Sequence, residues 1–362
     1  MDDWIIDDER LSLERKSLLP GEGFFYPDSL EESQKESKAA EAFAEAETVV
    51  IADTDADGLG CVALVREAYG EAGLVPAGPH ELRQSIEWAE QFAAEGATVF
   101  VCDLCPDDSD DIAGIEDLAA KTTVRWFDHH QWDDELAATV RDAGVELVVG
   151  DSEEVCTTDV ALAELDYDFP ERFSALAVVT RDHDLWIKED ERSDDLADYS
   201  MWSEPEEYVA TIRDHGADFP AEVEEYLAER RIEKEALIEK AVERAELREV
   251  GDWTVGVTYG RCSQNEVAEA LRQQGADAAV IVKPAGSASI RGTENFERAH
   301  EVAAKVHGGG HPRAAGCKPH IYDDMLDYAH HWTTRGAVAK QKILDGFENL
   351  PEEDEEGVDT DR

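Results

Sequence analysis

Asp128-His129-His130 follows directly on an apolar run, Val124-Arg125-Trp126-Phe127. Two adjacent imidazoles are a poor fit to simple packing, because side chains alternate along a strand and neighbours face opposite ways until the strand ends. At a strand's end both rings can turn toward one site, and histidine is the commonest metal ligand. Two further apolar runs end in aspartate, Ile51-Ala52-Asp53 and Val101-Cys102-Asp103. Ligands of parallel α/β sheets sit beyond the carboxyl ends of the strands, so acids repeated there mark a site. The first run continues as Asp53-Thr54-Asp55-Ala56-Asp57-Gly58, three carboxylates on alternate residues, with Gly58 expected to allow a sharp turn into a helix.

Oxygen ligands alone suit magnesium or calcium. Added imidazole shifts the preference toward manganese, zinc or iron, and four or more aspartates with one or two histidines suit a two-metal site. Ions about 3.5 to 4 Å apart can hold a bridging hydroxide and clamp a phosphoryl oxygen, which is the chemistry of phosphoester hydrolysis. A calcium loop of the EF-hand kind is excluded, since a strand precedes the acids and Leu64 stands where the twelfth-position Glu is needed. A haloacid-dehalogenase type of phosphatase also carries Asp-x-Asp after a first strand, but has no use for the Asp128-His129-His130 triplet.

The elements that must position these residues alternate. Short β-rich runs at 48–52, 98–102, 124–127 and 145–149 are separated by helical stretches, the first from about Gly60 to Ala72. That pattern predicts a parallel sheet covered on both faces. Helices are expected through Cys156–Leu165 and Phe173–Val179, followed by an acidic stretch to Glu207. The run Glu222 to Glu249 contains neither Gly nor Pro and reads as one long helix linking two domains. A second α/β unit starts at Trp253, with strands 254–259, 278–283 and 287–291, helices 265–273 and 297–306, the stretch Gly308-Gly309-Gly310-His311-Pro312-Arg313-Ala314-Ala315-Gly316, and a closing helix to about Gly346. The expected domains are an acidic extension (1–46), a first α/β domain (47–205), a helical linker (206–249), a smaller α/β domain (250–346) and a disordered acidic tail (347–362).

Charge is the extreme feature of composition. Lys and Arg number 33 against 86 Asp and Glu, a net charge of −53. Such a chain repels itself unless salt screens it, so a halophilic setting is expected. Between Arg261 and His320 the balance reverses, with eight basic residues against six acidic, as a surface that meets a polyanion requires. The six cysteines are scattered, the N-terminus is acidic where an export signal would be basic, and no apolar run nears the ~18 residues of a membrane span. A cytoplasmic protein with reduced thiols and no membrane partner is expected.

Together these residues resemble the DHH phosphoesterase superfamily, named for the triplet that stands here as Asp128-His129-His130, and within it the RecJ-like branch. Asp53 to Gly58 matches the first motif, Asp103 the second, the triplet the third, and Thr180-Arg181-Asp182-His183-Asp184-Leu185-Trp186 the fourth. The Gly308–Gly316 stretch is similar to the glycine-rich signature of the DHH-associated C-terminal domain. The resemblance implies two manganese ions, with magnesium as a substitute: Asp53 and Asp55 on one, Asp57, His129 and Asp182 on the other, and Asp103 bridging. Asp184 is the alternative to Asp182. His130 and Asp128 would act beside the metals, one near the scissile phosphate and the other orienting an imidazole. Arg291, Gly308, Gly309, Gly310, His311 and Arg313 would bind the substrate phosphate or terminal nucleotide in a cleft between the two domains.

The function implied is a manganese-dependent exonuclease or oligonucleotidase acting on the ends of single-stranded DNA or RNA, with short oligonucleotides favoured and DNA repair or replication proteins as partners. Hydrolysis of a small nucleotide, such as a cyclic dinucleotide or 3′-phosphoadenosine phosphate, is the alternative within enzymes. A catalytically idle replication accessory factor is the alternative outside them, and the filled motif positions argue against it.

Overall fold

Alternation along the buried strands determines how the first unit is built. In Thr48–Ala52 (β1), Val49 and Ile51 point to one face of the sheet and Val50 and Ala52 to the other. The same split separates Val99 and Val101 from Phe100 and Cys102 in Thr98–Cys102 (β3), and Val124 and Trp126 from Phe127 in Thr123–Asp128 (β4). Strands apolar on both faces must be covered on both, which is the signature of a parallel sheet. A computed structural model describes residues 28–44, 46–322 and 325–350. Residues 1–27 of the expected acidic extension lie outside the described residues, as does the tail from Pro351; of the tail expected over 347–362, Phe347 and Glu348 instead end the helix Ala337–Glu348.

The chain divides into two compact units, one spanning Ser29–Ala228 and the other running on from Glu229. In the first, five parallel strands stand in the order β2-β1-β3-β4-β5, where β2 is Gly73–Pro76 and β5 is Glu146–Val149. Helices Asp28–Phe43, Leu82–Phe92, Ile115–Lys121 and Asp134–Asp142 supply one apolar layer. Helices Ala56–Tyr69, Thr157–Glu164, Glu171–Asp184, Ser193–Trp202 and Pro205–His215 supply the other. The largest core side chain, Trp126, is fully buried and donates its indole N–H to Leu104 O at 2.9 Å, so burial leaves no orphan donor.

The strand order places the topological switch point between β1 and β3, where connections leave toward opposite faces and a crevice opens at the carboxyl ends. Asp53 and Asp103 are the residues that follow those two strands.

The second unit is a six-stranded mixed sheet in the order β10-β11-β9-β8-β7-β6. Its strands are Glu246–Val250 (β6), Trp253–Tyr259 (β7), Ala278–Val282 (β8), Ala288–Gly292 (β9), Gly308–Gly310 (β10) and Ala314–Cys317 (β11). Helices Ala299–Lys305 and Ala337–Glu348 join the core that includes Val257, Val280 and Ile290. Helix Gln264–Gln273 and Ala241 pack with Ala279 and Ile281.

Three expectations change. The helix expected over 222–249 runs Ala221–Glu243, and the remainder turns into the edge strand β6, paired antiparallel with β7 through a turn in which Gly251 takes φ +60°. Residues 206–228 are not a free linker, since Tyr208, Val209, Ile212 and Leu227 are buried in the first unit's core. The closing helix is two, Met325–Thr333 and Ala337–Glu348, broken at Gly336 with φ +74°. Among the described residues no helix is long and apolar enough to cross a membrane.

Candidate metal centre

Asp55 is the first anchor of the site. It caps the helix Ala56–Tyr69, its Oδ1 accepting from the amides of Asp57 at 2.9 Å and Gly58 at 3.0 Å. The helix therefore starts inside the acidic motif, four residues earlier than the sequence suggested. Gly58 does not make a turn; a Cβ there would lie 2.4 Å from Asp53 O, so glycine is needed to let the helix approach the end of β1. Gly60 similarly makes room for the Thr158 hydroxyl.

Asp57 is almost completely buried and is held by a neighbouring helix of the same layer. Its two carboxylate oxygens accept from Thr157 N and Thr158 N, both at 2.7 Å, at the start of helix Thr157–Glu164. A helix N-terminus, with its free amides and dipole, is a natural seat for a buried carboxylate. Thr157 also donates its hydroxyl to Asp103 Oδ1 at 2.8 Å. Asp103 itself takes φ +60°, a left-handed conformation that costs a non-glycine residue roughly 1–2 kcal/mol. Its amide donates to Phe127 O at 3.0 Å, which holds this turn against β4.

The triplet divides into a holder and two rings. Asp128 is fully buried, with Oδ1 2.7 Å from His130 Nδ1 and accepting from His129 N at 2.8 Å, while Oδ2 accepts from Trp132 Nε1 at 2.7 Å. Burial would raise the Asp128 pKa, but these hydrogen bonds, led by His130, lower it. Burial would lower the His130 pKa, but Asp128 raises it to about 9. The His129 ring lies 4.8 Å from that of His130, and its Nε2 reaches Asp184 Oδ2 at 3.2 Å, Asp103 Oδ1 at 3.9 Å and Asp57 Oδ2 at 4.0 Å.

Asp182, expected among the ligands, turns elsewhere. Its Oδ1 accepts from Glu189 N at 2.8 Å, and its backbone carbonyl accepts from Ile187 N and Lys188 N, which folds the loop that follows the helix back on itself. Burial raises its pKa, but hydrogen bonds from Glu189 N, Ser193 and Asp190 N outweigh this and lower it. Asp184 instead faces the cluster. On the helix Glu171–Asp184 two residues differ by about 200° around the axis, so only one of the pair can face the strand ends.

Two overlapping donor sets result, Asp57 with His129 and Asp184, and Asp103 with His129 and His130, each with ligand atoms within 4.8 Å of one another. Burial and neighbouring carboxylates raise Asp53 to about 7 and Asp184 to about 8, and push Asp103 well above the usual range. Asp55 is raised by burial and by Asp57. An oxygen of Asp184 is buried with no hydrogen-bond partner among the described residues although it sits beside His129 Nε2. Acids crowded until they favour protons, with an orphan oxygen and an imidazole at the centre, fit divalent cations.

The remaining residues lie in the second unit. Gly308 and Gly310 are glycines for packing, since a Cβ on either would collide with β11 backbone, but Gly309 is exposed and faces open space. Arg291 donates to Asn265 Oδ1, Ile290 O and Ala315 O, and its Nη2 has no partner among the described residues. Arg313 is exposed and lies 3.4 Å from Glu297, and His311 pairs its backbone with Ala314 across the β10–β11 turn. Thr157, Thr158 and Trp132 were not expected from sequence. The available signal for the threonines was the helix start just beyond the carboxyl end of β5.

Two outcomes follow from this geometry. Asp184→Asn should weaken Mn2+ affinity by at least tenfold in calorimetric titration, whereas Asp182→Asn should leave it within about twofold and lower the melting temperature; the opposite ranking would reverse the assignment. In the metal-free protein, the raised carboxylates bind protons more tightly folded than unfolded, so their contribution to stability is greatest near pH 4 and is lost as pH rises toward 8. Cations relieve that loss, so Mn2+ should raise the melting temperature far more at pH 8 than at pH 5, and an equal rise at both would contradict it.

Neither a protein-family model nor a curated protein matches the sequence. Solved structures do. The manganese-bound exonuclease RecJ aligns with a TM-score of 0.54 at 15% identity, covering 92% of this chain and 96% of that one. The DHH domain of a member of the S1p family of ribosomal proteins aligns at 0.53 and 14%, covering 89% and 92%. A pGpG-specific phosphodiesterase from Vibrio cholerae aligns at 0.50 and 12%, covering 82% and 99%. At these identities the likeness is one of fold: the chain is built as RecJ and DHH-domain proteins are built.

Proposed function

We propose that the protein is a divalent-metal-dependent phosphodiesterase, most suited to manganese, that removes terminal nucleotides from single-stranded DNA or RNA. The observation that supports it most is the convergence of Asp53, Asp57, Asp103, His129, His130 and Asp184 at the carboxyl ends of β1, β3 and β4 and of one helix. In this reading Asp57, His129 and Asp184 would hold one ion, Asp53 and Asp55 a second, and Asp103 would contribute to both. The chemistry that such ions supply is polarisation of a phosphoryl oxygen and acidification of the attacking water.

The chain's own residues do the rest. Asp128 binds His130 through Nδ1, which leaves Nε2 to donate to a phosphoryl or leaving oxygen. Trp132 fixes the other Asp128 oxygen, so the imidazole is held in one orientation. Thr157 and Thr158 hold Asp57 and Asp103 at the spacing the ions require. Arg291, His311, Arg313 and the exposed strand Gly308–Gly310 are the proposed phosphate and terminal-nucleotide contacts. High salt is the proposed working medium for a chain of −53, inside a cell, with repair or replication proteins as partners.

A second reading, hydrolysis of a small linear dinucleotide, draws on the likeness to the pGpG-specific phosphodiesterase. One experiment separates the two. End-labelled DNA and RNA of several lengths, pGpG and 3′-phosphoadenosine phosphate are incubated with Mn2+ in molar KCl. Stepwise shortening of single strands, lost by a factor of about 100 or more in Asp103→Ala and His129→Ala, is the expected result. Cleavage confined to pGpG or 3′-phosphoadenosine phosphate would replace the first reading with the second, and full activity in either variant would refute the metal assignment.

A further inference from the structure

Three ring pairs of the second unit stack among the described residues. Phe296 and Phe347 do so inside the core, and Tyr322 and Tyr328 do so half-buried. His307 and His320 are different, since their rings lie 3.9 Å apart at 11° and both residues are exposed. Aromatic pairs ordinarily prefer centroids about 4.5–7 Å apart, so the contact is close, and at the surface it removes little apolar area from water. Neither imidazole meets a third ring or makes a side-chain hydrogen bond among the described residues.

The backbone holds the two rings in place. His307 stands immediately before β10 and takes φ +60°, a left-handed conformation unfavourable for any residue with a Cβ. Its carbonyl accepts from Lys318 N at 3.2 Å, which carries the Gly308–Cys317 pairing of the β10–β11 hairpin one step further. The His320 carbonyl accepts from Lys342 Nζ at 2.6 Å, a bond that ties it to helix Ala337–Glu348 and sets an ammonium beside it. Backbone strain of the kind seen at His307 persists where the surroundings over-determine it, and it clusters at ligand clamps.

We propose that His307 and His320 form a platform on which a base of a single nucleic-acid strand stacks. A two-ring shelf at the surface offers a π-face that any base can cover, and aromatic stacking beside a cation holds strands without reading their sequence. A metal ion fits less well. Nitrogen lone pairs lie in the ring planes, planes 11° from parallel do not converge on one ion, and the described residues supply no third ligand there. His311, just past the other end of β10, is four residues from His307, about 14 Å of extended chain. A base on the platform therefore belongs to a different nucleotide from the one whose phosphate meets His311, so the ligand is an oligonucleotide and not a mononucleotide. This inference rests on the strand-binding part of the reading above and not on hydrolysis.

The test keeps the full chain in a chelator, so that no strand is cut. Single-stranded hexanucleotides, each carrying 2-aminopurine at one position, are titrated over a series of KCl concentrations; anisotropy reads affinity, and quenching of the 2-aminopurine reads stacking. Wild type should quench one position more than the others. His307→Ala/His320→Ala should lose that quench and bind about tenfold more weakly, with the slope of log affinity against log salt unchanged, because a base contact and not a phosphate contact is removed. His307→Phe/His320→Phe, which keeps rings without their nitrogens, should keep both the quench and the affinity. Unchanged binding and quench in the folded alanine variant would overturn the proposal, as would equal losses in the folded alanine and phenylalanine variants, or a wild type that binds and quenches no position. His320→Ala, at a residue outside the left-handed region, supplies the comparison if the double variant does not fold. Binding of no strand by wild type would instead remove the strand reading itself, and this inference with it.

Discussion

Like charges crowded out of water are the constraint around which the first unit is organised. Asp55, Asp57, Asp103 and Asp184 come together at the carboxyl ends of the parallel strands, where the charge of the His130 imidazole offsets part of the rise at Asp53 and Asp184. Two unit charges ~4 Å apart repel by roughly 4 kcal/mol at the effective dielectric of a protein site, so several such contacts rival the whole stability of a domain. The chain holds them with fixed donors: the first amides of helix Thr157–Glu164 on Asp57, the Asp57 and Gly58 amides on Asp55, and the Thr157 hydroxyl on Asp103. The left-handed backbone at Asp103 and the glycines at 58 and 60 are further costs of the same arrangement. A metal-free site of this kind is under electrostatic stress that divalent cations remove.

Much of this was legible in the sequence because strand ends are easy to read. Apolar runs of β-branched residues stopping at Asp53, Asp103 and Asp128 place carboxylates at one rim of a parallel sheet whatever the details, and the observed β1, β3 and β4 stop there. The choice within Thr180-Arg181-Asp182-His183-Asp184 was not legible. Both acids lie on one helix, and which faces the site depends on the helix's rotation, set by packing of Phe173, Leu176 and Val179 into the core. Asp55 as a helix cap was masked by its likeness to a metal ligand. Residues 73–97 gave little signal because β2 is short and ends in Pro76 at a sheet edge, yet they form a strand and a helix. The edge strand β6 read as helix because its Glu-Leu-Arg-Glu-Val sequence is charged, exposed and continuous with a helix free of breakers.

The second unit contains the stretch, Arg261 to His320, in which eight basic residues outnumber six acidic ones. One edge of its sheet is the exposed glycine strand β10, within a chain otherwise rich in acid. A polyanionic ligand suits that distribution, whereas the first unit repels polyanions until cations screen its carboxylates.

The arrangement of ions is the claim on which the rest depends. Crystals grown with Mn2+ and measured at the manganese absorption edge give an anomalous difference map that locates each ion directly. The account predicts two peaks about 3.5–4 Å apart beside Asp103, with Asp57, His129 and Asp184 on one of them and Asp182 on neither. Peaks absent from this rim, or a peak coordinated by Asp182 in place of Asp184, would contradict it.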